Sequence, residues 1–177
     1  ASVEGADTDI DIENRGTGEG HNPYFILLGK GDFSWEEKFK KLNIANLSVN
    51  IVFDEDLALS IYAGSDFLLV PSKYEPCGLI QLMAMWYGTL PIVRGVGGLK
   101  DTVKDGVTGF VFEDYSSEKF IQCVERALDV FAKKDRLRVM SSNCMKEDFS
   151  WEKSAKKYKD LYERVIKRRK LSMDLSE

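Results

Sequence analysis

Short apolar runs, each followed by a stretch with helical spacing, limit what this chain can fold into. They are "YFILLGKGD" from Tyr24, "LSVNIVF" from Leu47, "DFLLVPS" from Asp66, "LPIV" from Leu90 and "GFVF" from Gly109. Apolar runs of this length without polar alternation suit strands covered on both faces. Such strands alternating with helices imply a parallel sheet wrapped by helices, so the expected class is α/β and Rossmann-like. The intervening segments fit. "SWEEKFKKL" is amphipathic, with Ser34 in a position to cap it, and "DEDLALSIYAG" opens on acidic residues and stops at Gly64. "GLIQLMAMWYG" carries Leu79, Leu82, Met83 and Trp86 at helical spacing, which places Met83, Met85 and Trp86 in a core. The remainder reads as helices over about 116–133, 135–146 and 150–170, and no internal repeat stands out.

The 177 residues suit one domain with a sizeable core. The first twenty residues hold six acidic side chains, one basic one and four glycines, so residues 1–22 read as a flexible acidic tail or loop. The domain is expected over 23–170, with a tail over 171–177. A net charge of −4 lacks the basic excess of a nucleic-acid binder. No apolar run approaches the roughly 20 residues of a membrane span, and the acidic start is no signal peptide. Cys77, Cys123 and Cys144 are odd in number and widely spaced. They argue for a reducing compartment and against a disulfide framework or a zinc site. One histidine, His21, excludes a multi-His metal site, so neither a metal nor a cofactor is expected. Chemistry must rest on carboxylates, backbone amides and Lys or Arg.

Ligands of parallel α/β sheets sit at the carboxyl ends of strands, where loops lead into helix N-termini. Glu75 lies there, in the loop between "FLLV" and the helix opening at Gly78 or Leu79. A carboxylate between two buried elements is expensive unless something binds it. The N–H groups of Cys77, Gly78, Leu79 and Ile80 are orphan donors at a positive dipole end, suited to phosphate or sugar hydroxyls. "RGVGGLKDTV" supplies a second glycine turn, with Gly97 and Gly98, after the next strand.

At these residues the chain resembles a known family. "VPSKYEPCGLIQLMAMWYGTLPIVRGVGGLKDTV" resembles the donor-site signature of bacterial glycogen synthases and plant starch synthases, retaining GT-B glucosyltransferases. "LLGKGD", "ALSIYAGSDFLLVPS", "DGVTGFVFED" and "DFSWEKSAKKYKDLYERV" are similar in the same order, so the likeness covers about 24–165. The resemblance implies the C-terminal, donor-binding half of a GT-B fold. It makes Glu75 the catalytic carboxylate that holds the donor glucose. Cys77, Gly78, Leu79 and Ile80 become the loop that meets glucose hydroxyls and phosphate, and Gly97 and Gly98 the second donor-side turn. Phe53, twenty-two residues before Glu75, falls at a position that lies against the nucleotide base.

Two departures from the family pattern matter. Ile80 stands where the family usually has Thr, and Met83 where related hexosyltransferases place a second Glu; the latter favours the glucan-synthase branch. The family's acceptor-domain Lys-x-Gly-Gly motif is absent, as are the Arg and Lys that meet the donor phosphates. The chain is therefore expected to be a fragment, inactive without its acceptor domain. The implied partners are a nucleotide-glucose donor, ADP- or UDP-linked, and an α-glucan acceptor bound through the missing domain. The implied location is the cytoplasm, or the plastid in a plant. The last helix resembles one that crosses back to the N-terminal domain, so part of its apolar face is expected to be exposed.

Plainer readings stand beside these. Glu75 could be a charge at a helix N-terminus gaining only dipole stabilisation. Gly97 and Gly98 could serve close helix packing alone, and Phe53 could be a core residue. Gly29, Lys30 and Gly31 read as an ordinary turn. Cys77 has no accompanying base to make it a nucleophile. The donor half of another GT-B hexosyltransferase, or a non-catalytic nucleotide- or glycan-binding module, remain as alternatives.

Overall fold

The computed structural model describes residues 23–174, and side chains to residue 169. The expected acidic tail over 1–22, with His21, lies outside the described residues, as does the very end of the chain. The elements in order are β1 (Phe25–Leu28), α1 (Phe33–Lys40), β2 (Leu47–Asn50), α2 (Glu55–Gly64), β3 (Phe67–Val70), α3 (Ile80–Trp86), β4 (Leu90–Arg94), α4 (Gly97–Thr102), β5 (Phe110–Phe112), α5 (Ser117–Phe131), α6 (Lys134–Lys146) and α7 (Trp151–Asp174). Two compact units, Ala1–Ile61 and Tyr62–Glu177, make up the chain, with their boundary inside α2.

In the first unit, β1 and β2 pair in parallel from Phe25↔Leu47 to Leu28↔Asn50. The Asn46 side-chain amide donates to Pro23 O at 2.7 Å, and that of Asn50 to Leu27 O at 3.3 Å. Neither strand is fully buried, and Ile26 is 46% exposed, so the expected two-face burial does not hold for this pair. Helix α1 is capped by Asp32 rather than Ser34. The Asp32 carboxylate accepts from Ser34 N at 2.9 Å and from the Ser34 hydroxyl at 2.5 Å, and these bonds hold its pKa below the usual carboxylate value. The helix starts at Phe33, so Asp32 stands at the cap position and Ser34 already lies inside the first turn. Gly29 (φ +153°) and Gly31, whose N–H donates to the Glu36 carboxylate at 3.0 Å, form the turn before it.

The second unit is a three-stranded parallel sheet in the order β3-β4-β5. Its register runs from Phe67↔Leu90 to Val70↔Val93 and from Ile92↔Phe110 to Arg94↔Phe112. Central β4 is buried from Leu90 to Val93, as an unbroken apolar run with neighbours on both edges must be. Helix α3 lies against β3 and β4, α5 against β4 and β5, and α6 against α3 and α5. The core gathers Val70, Met85, Leu90, Ile92, Val93, Leu99, Phe110, Phe112, Cys123, Val130, Met140 and Cys144. Thr89, buried where β4 starts, donates its hydroxyl to Ser65 O at 2.9 Å and also to Tyr62 O. Helix α5 opens on Ser116, whose Oγ accepts from Lys119 N at 3.1 Å. This is the Rossmann-like parallel α/β class that the sequence implies.

The five-residue stretch Asp-Phe-Ser-Trp-Glu occurs twice, at 32–36 and 148–152, a short internal repetition that the sequence reading passes over. In both places the Asp Oδ1 accepts from the Ser N–H at 2.9 Å and a helix follows. Helix α7 runs to Asp174, past the expected end near Lys170. Trp151, Tyr158, Leu161, Tyr162, Val165 and Ile166 along it are exposed, as expected for its apolar face.

Two outcomes follow from this core. Phe110 is 2% exposed and meets the Phe67 ring edge-on, so Phe110→Ala should cost about 3–5 kcal/mol in urea unfolding. Burial pushes the Cys123 thiol up to about 11 and the Cys144 thiol to about 12, while Cys77 is exposed. A maleimide at neutral pH should therefore label one thiol fast and spare the other two until the fold opens. Because the folded-state values exceed the unfolded 9.0, their contribution is intact below pH 9 and is lost as pH rises toward 11 and 12.

Candidate functional site

The loop between β3 and α3 carries Glu75, and parallel pairing puts it at the same sheet edge as the turn between β4 and α4. The two meet backbone to backbone. Gly98 N donates to Glu75 O at 3.2 Å. A Cβ added at Gly97 would lie 1.8 Å from Glu75 O, and one at Gly98 would lie 2.1 Å from Cys77 O. Gly97 also has φ +50°, so any side chain there is excluded by contact and by backbone conformation. Close packing does need both glycines, but what they pack against is the loop that carries Glu75 rather than a neighbouring helix.

Gly78 has φ +75°, and a Cβ there would stand 2.5 Å from the Gln81 Oε1. Gln81 is fully buried. Its Nε2 donates to Gly78 O at 2.8 Å, to Cys77 O at 3.4 Å and to the Thr102 Oγ1 at 3.3 Å. Thr102 Oγ1 in turn donates to Gly98 O at 2.8 Å, so the two side chains latch α3, α4 and the loop together. Among the described residues, no donor reaches the buried Gln81 Oε1. Such an orphan acceptor costs about 1–3 kcal/mol, which the rest of the latch must offset.

Helix α3 begins at Ile80, later than expected, and no side chain caps it. Among the described residues, no acceptor reaches the N–H of Cys77, Gly78, Leu79 or Ile80. Glu75 is half-buried, and its carboxylate makes no hydrogen bond or ion pair within the described residues. The edge of this sheet therefore presents an unpaired carboxylate and a row of unpaired backbone donors, a set that can address hydroxyls and anionic oxygens together.

Other expectations are corrected. Trp86 is 76% exposed and Met83 45%, and Leu79 and Ile80 are also exposed; only Met85 of the α3 residues expected in the core is there. The helix is short and turns a different stripe inward, Gln81, Ala84 and Met85. Phe53 belongs to the first unit, where it is 77% exposed between β2 and α2, not a core residue. Sequence reasoning missed Gln81, Thr102 and Arg94. Gln81 had a signal, being the one polar residue in an otherwise apolar helical run.

Arg94, the last residue of β4, donates through Nη1 to Lys73 O at 2.7 Å and through Nε to Glu113 O at 3.1 Å. Its guanidinium lies 5.2 Å from the centre of the Tyr115 ring. Lys100 and Glu113 approach to 4.0 Å on the same edge, both well exposed, a pair of little energetic weight.

Comparison with known proteins follows the same segments. The chain is 49% identical over 145 residues to a glycogen synthase of Thermodesulfovibrio yellowstonii, which covers 80% of this chain and 29% of that protein. It is 49% identical over 157 residues to a glycogen synthase of Petrotoga mobilis, covering 82% and 32%. The catalytic domain of starch synthase IV from Arabidopsis thaliana, bound to ADP and acarbose, superposes with a TM-score of 0.67 at 34% identity, covering 81% of this chain and 32% of that one. The chain thus spans about a third of the length of the relatives it matches. The family model described as glycosyl transferases group 1 matches residues 13–142, and to that family the chain belongs.

Proposed function

We propose that this chain is the nucleotide-sugar-binding part of a retaining glucosyltransferase that extends an α-1,4-glucan from ADP-glucose or UDP-glucose. The observation that carries the reading is the loop of Glu75, Cys77 and Gly78 seated on Gly97 and Gly98. Its carboxylate and amide donors have no partner among the described residues. The 49% identity to two glycogen synthases supports the glucan, and the ADP in the starch synthase IV structure supports a nucleoside diphosphate. Acceptor binding is assigned to the part of the relatives that this chain does not span. Neither a nucleic acid nor a membrane is assigned as a partner; no described helix is long and apolar enough to cross one. The cytoplasm suits three unpaired cysteines.

Transfer with retention builds positive charge on the sugar ring and negative charge on the departing diphosphate. In this reading Glu75 accepts hydrogen bonds from the glucose and favours the cationic ring. The N–H groups of Cys77, Gly78, Leu79 and Ile80 are fixed before the reaction and stabilise the developing phosphate charge without reorganising. Phe53 is assigned to the nucleotide base, for which a ring 77% exposed is available.

Two measurements test this. Isolated, the 177 residues should bind ADP about tenfold or more weakly than the full-length protein, and should transfer no glucose to glycogen. In the full-length protein, Glu75→Ala should lower kcat at least about a hundredfold, roughly 2.7 kcal/mol of transition-state stabilisation, with ADP affinity unchanged. A charge serving only the helix dipole would instead cost about 0.3–1 kcal/mol of stability and leave turnover alone.

A further inference from the structure

We propose that Arg94 is the positioning residue that fixes the backbone beside Glu75, and so sets where the Glu75 carboxylate stands; this rests on the role of Glu75 given above. β4 is the central strand, so its last residue emerges between the loop that follows β3 and the residues that follow β5. The Arg94 guanidinium spans that gap. Nη1 holds Lys73 O at 2.7 Å, two residues before Glu75, and Nε holds Glu113 O at 3.1 Å, just past β5. The Tyr115 ring, 5.2 Å away, braces the guanidinium plane.

The other ties on the loop lie on the α3 and α4 side: Gly98 N to Glu75 O, and Gln81 Nε2 to the carbonyls of Cys77 and Gly78. Arg94 supplies the tie on the β5 side, on the stretch before Glu75. With no protein partner for its carboxylate among the described residues, Glu75 takes its orientation from its backbone. Planar geometry is essential here, since one side chain must donate in fixed directions to carbonyls on both flanking strands' loops. A lysine ammonium keeps the charge but cannot reproduce the fork. A displacement of about 1 Å at a reacting group can cost about a hundredfold in rate, so a backbone tether is enough to govern turnover.

The test uses the full-length protein with Arg94→Ala, Arg94→Lys, Glu75→Gln and the double variant Arg94→Ala/Glu75→Gln. For each, kcat, KM for the nucleotide-glucose, ADP affinity and Tm are measured. Arg94→Ala is expected to lower kcat about 10- to 100-fold with ADP affinity within about twofold. Arg94→Lys is expected to lose kcat as well, and it carries the test if the alanine variant does not fold. Millimolar ethylguanidinium should restore part of the lost turnover to Arg94→Ala, a rescue that a general loss of stability would not show. In the Glu75→Gln background the Arg94→Ala loss should shrink to about threefold or less. Full turnover in Arg94→Ala, an undiminished loss in the Glu75→Gln background, or ADP affinity falling in step with kcat would each overturn the proposal. Normal turnover in Glu75→Gln alone would overturn the reading of Glu75 and this inference with it. A large loss in Glu75→Gln beside normal turnover in Arg94→Ala would overturn this inference alone.

Discussion

The contact between two stretches of backbone, the Glu75 loop and the glycine turn at Gly97 and Gly98, sets the terms for the second unit. Gly98 N reaches Glu75 O at 3.2 Å, and neither glycine leaves room for a methyl group against the facing carbonyls. An approach this close needs the loops to leave the sheet at one level. The level register of β3 and β4, Val70 opposite Val93, provides that. Parallel pairing is thus more than a way to bury apolar strands. It brings the carboxyl ends of neighbouring strands together, and the chain uses the coincidence to build a surface from main-chain atoms.

A rigid support and an open edge divide the work. β4 is buried from Leu90 to Val93, and Phe110, Leu99 and Met85 close around it, so the strand ends cannot shift without opening the core. Above that support, the loop is held by polar atoms. Gln81 and Thr102 bond to the carbonyls of Cys77, Gly78 and Gly98, and Arg94 to those of Lys73 and Glu113. These are all bonds to the backbone, which fix the path of the chain while leaving the Glu75 carboxylate and the amides of residues 77–80 unpaired within the described residues. Directional hydrogen bonds suit this task better than apolar packing, which would hold the loop near the sheet without setting its course.

How much of this the sequence discloses depends on the range of the interaction involved. The strands, the helix order and the loop carrying Glu75 are written in local apolar runs and glycines, and they are where the sequence places them. Misplaced features turn on choices between near neighbours or on distant contacts. Asp32 rather than Ser34 is the cap because the helix starts at Phe33, two residues earlier than a Ser34 cap would require, although both residues suit a helix start. Met83 and Trp86 sit at helical spacing with Leu79 and Leu82, yet helix α3 has only seven residues, too few for periodicity to say which stripe turns inward. Arg94 looks like a polar end to a buried strand; its partners, Lys73 and Glu113, are 21 and 19 residues away. Gln81 could have been suspected, since an amide in an apolar run must find partners.

Ile80, where the resembled family usually has threonine, bears on how such a site tolerates change. In the proposed reading the loop addresses its ligand through N–H groups, and every non-proline residue supplies one. Losing a hydroxyl removes a side-chain contact but leaves the donor row intact, and the Ile80 side chain is 41% exposed, so it forces nothing aside. The glycines have no such latitude. Gly97 and Gly98 face carbonyl oxygens within 1.8 and 2.1 Å of where a Cβ would be, and Gly78 combines φ +75° with the buried Gln81 amide. The tightest geometric constraints on this loop therefore fall on residues that lack side chains and on the side chains that hold its backbone.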